Sequence, residues 1–198
     1  MKNNPKRDII LNTMESFMKE GTAGTVSVST IAKRANIATG GLYYYFKSKE
    51  EIMDAVVNRQ YDQIIENVRL ALSKSNDDAI TKLKLLFYTY TSASVDSSLD
   101  QYLHLPQNAA LHQKSLATIL LSLKPMISEI FNQGIQENVF FTDYPDEIAE
   151  ILLSSFTFLF DPGIFEWSNE EMQKKRMALA EMLGTMLHTS HELFAFLY

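Results

Sequence analysis

Apolar residues recur along this chain at the three-to-four-residue spacing of a helix face, and no segment sustains the strict alternation of a half-buried strand. Ile10, Met14, Phe17 and Met18 stand at i, i+4, i+7 and i+8, which predicts an amphipathic helix over residues 6–20, stopped by Gly21. Two short helices follow, at 28–35 and 39–45. Ser48 and Glu51 have the spacing of a capping box, with the hydroxyl accepting from the Glu51 amide and the carboxylate reaching back. From there Ile52, Val56, Tyr61, Ile64, Ile65, Val68 and Leu72 carry one stripe through a long helix that ends near Ser73, where the polar run SKSNDD breaks the pattern.

A helix over 78–94 comes next, then an irregular stretch through Pro106. Pro125 interrupts the following helical pattern; lacking a donor and clashing with the preceding turn, it should end or kink the helix near Lys124. Pro145 suits the first position of another helix, whose Ile148, Ile151, Leu152, Phe156 and Leu159 form a stripe that stops at Asp161-Pro162-Gly163. A last helix starts near Asn169, and its apolar stripe continues over residues 172–196. The expected fold is all-α: an N-terminal three-helix domain over 1–50 and a larger helical domain over 51–198, joined by the long helix.

Composition narrows the class. With 198 residues, 46% hydrophobic, 7 Gly and 5 Pro, the chain can bury a core and is not of the disordered or collagen-like kind. It has no Cys, which removes disulfides, thiolate nucleophiles and Cys-ligated metals. No stretch reaches the roughly 18 apolar residues of a membrane span, and the charged MKNNPKRD start is unlike a signal peptide, so a cytoplasmic protein with no membrane partner is expected. The net charge of −6 conceals an asymmetry. Residues 1–50 hold eight basic and four acidic side chains, +4, leaving −10 for the remainder. A basic head on an acidic body suits a head that meets a polyanion.

The chemistry concentrates in residues 27–52, SVSTIAKRANIATGGLYYYFKSKEEI. Asn36 stands where the chain must turn, and asparagine tolerates the left-handed conformation. On the second short helix Leu42 and Phe46 share the inward face, with Gly40, Gly41 and Tyr44 opposite, flanked by Tyr43 and Tyr45. Three consecutive tyrosines on so short a helix cannot all be buried. Two glycines in one turn cost roughly 2 kcal/mol relative to alanine, a cost that close approach to a bulky partner would justify. Tyrosine hydroxyls donate to phosphates and their rings pack on thymine methyls, so the segment reads as a helix-turn-helix that enters the major groove.

These residues resemble the DNA-binding domain of TetR-type transcriptional regulators, in which a run like Ile-Ala-x-x-Ala-Gly-Val precedes a small-residue stretch, Leu-Tyr-x-x-Phe and a Lys in the next turn. Ile31-Ala32, Ala35, Ile37, Gly40, Leu42-Tyr43, Phe46 and Lys49 carry the likeness; Asn36 stands where the family has glycine. The resemblance implies that Ser27 caps the first short helix and contacts phosphate, with Ser29 beside it facing DNA. It further implies base or backbone contacts from Thr39, Gly40, Gly41, Tyr44 and Tyr45, and phosphate clamps at Tyr43 and Lys49. Angular spacing alone puts Thr39 nearer the buried side, so its assignment rests on the resemblance.

The same family implies a homodimer on double-stranded operator DNA, paired through the stripes of 146–160 and 172–196. The expected function is a repressor released from a pseudo-palindromic site by a small apolar or aromatic effector, through a swing of the long helix. The alternative is a DNA-binding regulator controlled by a protein partner, with no small-molecule site. Candidate effector residues are Phe87, Tyr90, Tyr102, Met126, Phe156 and Phe160, with His104, His112 and Glu129 as polar anchors. His188 and His191 have a metal-like spacing beside Glu192 but no evident third ligand, and no nucleotide loop, nucleophile elbow or His-Glu-x-x-His motif occurs. Neither metal, cofactor nor catalysis is expected.

Overall fold

The computed structural model describes residues 4–92 and 97–198, and every regular element among them is helical. In chain order these are α1 (Pro5–Lys19), α2 (Val28–Arg34), α3 (Thr39–Tyr43), α4 (Lys49–Ser73), α5 (Ala79–Ser92), α6 (Ser97–Leu103), α7 (Ala109–Gln136), α8 (Pro145–Ser154) and α9 (Asn169–Met186). Short helical turns at Pro106–Asn108, Ser155–Leu159 and His191–Leu197 complete the set. The chain divides into two compact units, Met1–Gln63 with Val95–Ser115, and Ile64–Ser94 with Leu116–Tyr198. No helix among the described residues is long and apolar enough to cross a membrane.

In the first unit α1 packs on α2 and α6, and α2 on α3. Ile10, Met14, Phe17 and Met18, the predicted face of α1, are all buried, as are Ile31, Leu42, Phe46, Ile52 and Val56. Ser27 caps α2 by accepting from the Thr30 amide at 3.1 Å. At the start of α4 the Glu51 amide donates to Ser48 Oγ at 3.2 Å as expected, but the Glu51 carboxylate accepts from the Lys47 amide at 2.6 Å, one residue further back than a capping box requires. The stretch expected to be irregular contains α6, whose Leu99 and Leu103 lie at i, i+4 and are both buried. One such pair is too short a period to stand out in the sequence. The expected helix end at 93–94 lies outside the described residues.

The second unit departs from expectation at two points. Pro125 does not end a helix: α7 runs 28 residues with the proline inside it. The carbonyl that loses its helical donor belongs to Leu121, which is 68% exposed, so water can satisfy it. At the C-terminus the stripe over 172–196 is not one helix. α9 ends at Met186, His188 takes a left-handed turn with φ 46°, and residues 191–197 fold back on α9. Gly184 permits the return, because a Cβ there would lie 2.9 Å from the backbone of His191. Phe194 then enters the core, stacked on Phe140, which meets Phe131 edge-on. Apolar spacing cannot tell a continuing helix from a hairpin that buries the same residues in its own subunit. The end of the α8 region is also locally different: Ser155–Leu159 widens into a π-helical turn, with Thr157 Oγ1 donating to the Leu153 carbonyl at 2.8 Å.

Candidate nucleic-acid interface

The turn between α2 and α3 places the second short helix at the surface. Asn36 is left-handed at φ 54°, and the Ile37 amide closes the turn onto the Ala32 carbonyl at 2.9 Å. From there α3 starts at Thr39, with Leu42 and Phe46 driven into the core. Burying that face turns the opposite one outward. Tyr44 is 83% exposed and Tyr43 52%, while Tyr45 is half-buried with its ring edge-on to Tyr44 at 5.0 Å. Thr39 is exposed, contrary to the angular estimate, because it is the first helical residue and projects off the end of α3 rather than under it.

The two glycines differ. A Cβ at Gly40 would meet nothing within 4 Å, so its smallness serves no contact inside the unit. At Gly41 a Cβ would stand 3.3 Å from Ile37 Cγ2, so this glycine answers to internal packing as well. Ser27 and Ser29 are exposed at the start of α2, their hydroxyls 2.8 Å apart.

The basic head is partly engaged within its own unit. Arg34 pairs with Glu20 at 2.7 Å and lies 3.7 Å over the Phe17 ring, which ties α2 to α1. Arg7 lies 5.2 Å over Phe46. Lys49 directs its ammonium to the Gly24 carbonyl at 2.7 Å and the Ala23 carbonyl at 3.4 Å, holding the loop before α2. Lys33 and Lys47 instead extend into solvent, and neither ammonium has a hydrogen bond or ion pair among the described residues. Sequence reasoning passed over these two cations, because charge alone does not say which lysines are already held.

The candidate effector residues are divided between the two units. Tyr102, His104 and His112 belong to the first unit, where the two imidazoles meet edge-on with centroids 4.7 Å apart and His104 Nδ1 lies 3.5 Å from Asp100. Burial raises the Tyr102 phenol above its ordinary pKa. In the second unit, Phe87 and Phe156 pack edge-on at 4.7 Å and line a groove of about 690 Å³ between α5, the π-helical turn, α9 and the C-terminal turn. Phe160 is buried against Phe156, with ring centroids 6.2 Å apart. Burial, and then the charge of Asp161, push the Tyr90 phenol up to about 12, which keeps it protonated as a donor. Met126 and Glu129 line a separate cleft of about 240 Å³. Arg176 and Lys84, also at the larger groove, were not singled out from the sequence. For Arg176 a signal existed: it occupies the inward register of α9 shared by Leu179, Ala180 and Leu183.

Residues 9–56 match a family described as bacterial regulatory proteins, tetR family, and residues 91–182 match one described as tetracyclin repressor-like, C-terminal domain. The fatty acid metabolism regulator protein of Bacillus subtilis (strain 168) is 29% identical over 136 residues, covering 67% of this chain and 69% of that protein. Two solved structures share the fold. The fatty acid degradation regulator FadR from Bacillus halodurans has a TM-score of 0.63 at 21% identity, covering 98% of this chain and 96% of that one. A transcriptional regulator from Cytophaga hutchinsonii has a TM-score of 0.68 at 17% identity, covering 93% and 98%.

Proposed function

This chain belongs to the TetR family of transcriptional regulators, and from that premise we propose that it is a homodimeric repressor, released from a pseudo-palindromic operator when a small effector binds the body. The observation that carries the DNA-binding assignment is the outward face of α3, where Tyr44 is 83% exposed although its neighbour Leu42 is fully buried. Ser27, Ser29, Thr39, Gly40, Gly41, Tyr43, Tyr44, Tyr45 and Lys49 are the proposed contacts, and Lys33 and Lys47 join them as phosphate partners. The division of labour follows the sequence: residues 1–50 read DNA, and residues 51–198 pair the subunits and take the effector.

Selection of bound fragments from genomic DNA tests the reading directly. A two-fold repeat should emerge, its half-sites one turn of duplex apart, about 34–36 Å. Recovery of fragments with no shared motif would overturn it. Gly40→Ala separates function from folding at one atom. Because its Cβ enters open space, the variant should melt higher, gaining up to about 1 kcal/mol. Operator binding, read by fluorescence anisotropy, should nevertheless weaken.

Pairing of subunits is assigned to α8 and α9. Ile151 and Phe158, seven residues apart, and Met177 and Met182 are large apolar side chains left exposed at 41–51%. Phe158→Glu combined with Met182→Glu should convert dimer to monomer in sedimentation experiments and abolish operator binding, with helical content unchanged. A double variant that remains dimeric would exclude this face.

A further inference from the structure

The groove between α5, the π-helical turn, α9 and the C-terminal turn carries charge of the wrong sign for its surroundings. Residues 51–198 have a net charge of −10, yet no acidic side chain is among the groove's described lining residues, and two cations are, Lys84 and Arg176. Arg176 sits where the inward stripe of α9 calls for an apolar residue. Its guanidinium lies 5.5 Å over the Phe160 ring, and its Nε is buried with no acceptor. Lys84, on α5, stands 6.0 Å over the Phe196 ring. Arg176 has no carboxylate partner among the described residues, and Lys84 forms no ion pair there, its charge acting only at longer range on Asp78. Around them the groove is apolar, formed chiefly by Leu85, Phe87, Phe156 and Phe196. A planar guanidinium with a free donor is the protein group best shaped for a carboxylate, and a volume of about 690 Å³ falls within the range of small-molecule sites.

We propose that this groove binds an amphiphilic organic acid, with the carboxylate held by Arg176 and Lys84 and an aliphatic or aromatic tail laid against Phe87, Phe156 and Phe196. The assignment gives the effector of the previous section a chemical class and rests on that reading only for its consequence at the operator. The acid gives the Arg176 guanidinium and the Lys84 ammonium a charged acceptor, while the tail covers the half-buried Phe156 and Phe196 rings. A neutral apolar compound would gain the second term and not the first.

Trp167 is placed to report occupancy. Its Nε1 donates to the Leu159 carbonyl at 3.0 Å, at the end of the same π-helical turn that carries Phe156. The test titrates the full chain with dodecanoate and with dodecanol, each below its aggregation concentration, reading Trp167 fluorescence and calorimetric heat. Dodecanoate should bind about tenfold or more tightly than dodecanol, as a charged hydrogen bond predicts. Arg176→Gln and Lys84→Gln should each weaken dodecanoate severalfold or more and leave dodecanol unchanged. Lys84 is exposed, so its variant keeps the test decisive even where Arg176→Gln loses helical content. Equal affinities for acid and alcohol, undiminished dodecanoate binding by Lys84→Gln, or no dodecanoate binding would each overturn the assignment. Operator release is measured separately. If dodecanoate binds with this pattern but leaves the operator occupied, the groove assignment stands and the effector reading fails. If a neutral compound releases wild type and Arg176→Gln alike, the effector reading stands and the acid assignment fails.

Discussion

Tyr44→Ala is expected to reduce operator affinity about 10- to 100-fold while leaving the melting temperature nearly unchanged. The two halves of that expectation come from one observation. At 83% exposure, the ring has almost nothing to lose within its own unit beyond its edge contact with Tyr45. On duplex DNA the same ring would cover thymine methyls or sugar, and its hydroxyl would meet a base edge or phosphate, contacts worth roughly 1–3 kcal/mol of discrimination. Preference for the operator over scrambled duplex should fall in parallel. Lys47→Ala provides the contrast, because an ammonium on phosphate carries no sequence information. It should weaken all duplexes alike and reduce the slope of log affinity against log salt by about one unit. If Tyr44→Ala kept both the affinity and the preference of the parent, α3 would not be the reading helix.

The largest effect on stability is expected from Phe194→Ala, at about 3–5 kcal/mol, or roughly 6–20 °C in Tm. Phe194 is fully buried and stacks on Phe140, so removal leaves a cavity bounded by rings that cannot collapse far. The same core is tight around Phe140. A Cβ on Gly134 would lie 2.2 Å from the Phe140 ring, so the glycine leaves the space that the ring fills. Gly184→Ala should destabilise the same region by a different route, pushing the backbone at His191 off α9. Thermal melts by circular dichroism measure both. A loss below about 1 kcal/mol for Phe194→Ala would mean that the C-terminal turn is not part of the cooperative core.

Much of the first unit was legible in advance, because its helices are short, closely punctuated and one-sided. Gly21, Asn36 and Ser48 each mark an end, and Leu42 and Phe46 show which face of α3 is buried, so the exposed face follows by subtraction. Thr39 was misplaced for a geometric reason: angular position on a wheel describes the middle of a helix, not its first residue. The candidate effector set was legible only as composition. Aromatic residues at helical spacing look the same whether they fill a core, as Phe160 does, or line a groove, as Phe156 does.

By itself, then, the order of residues determined the helical class, the outward-facing side of α3 and the left-handed turn at Asn36. These depend on backbone preferences and on neighbours within a few positions, which the chain states locally. Tertiary structure decided that Pro125 stays inside α7, that the last residues return to pack on α9, that Lys49 is held by loop carbonyls while Lys47 is not, and that Arg176 faces aromatic rings. Each of those outcomes turns on a partner distant in the chain or on the solvent exposure of one group. Periodicity carries no information about either, since the energy that selects between the alternatives arises only when the surfaces meet.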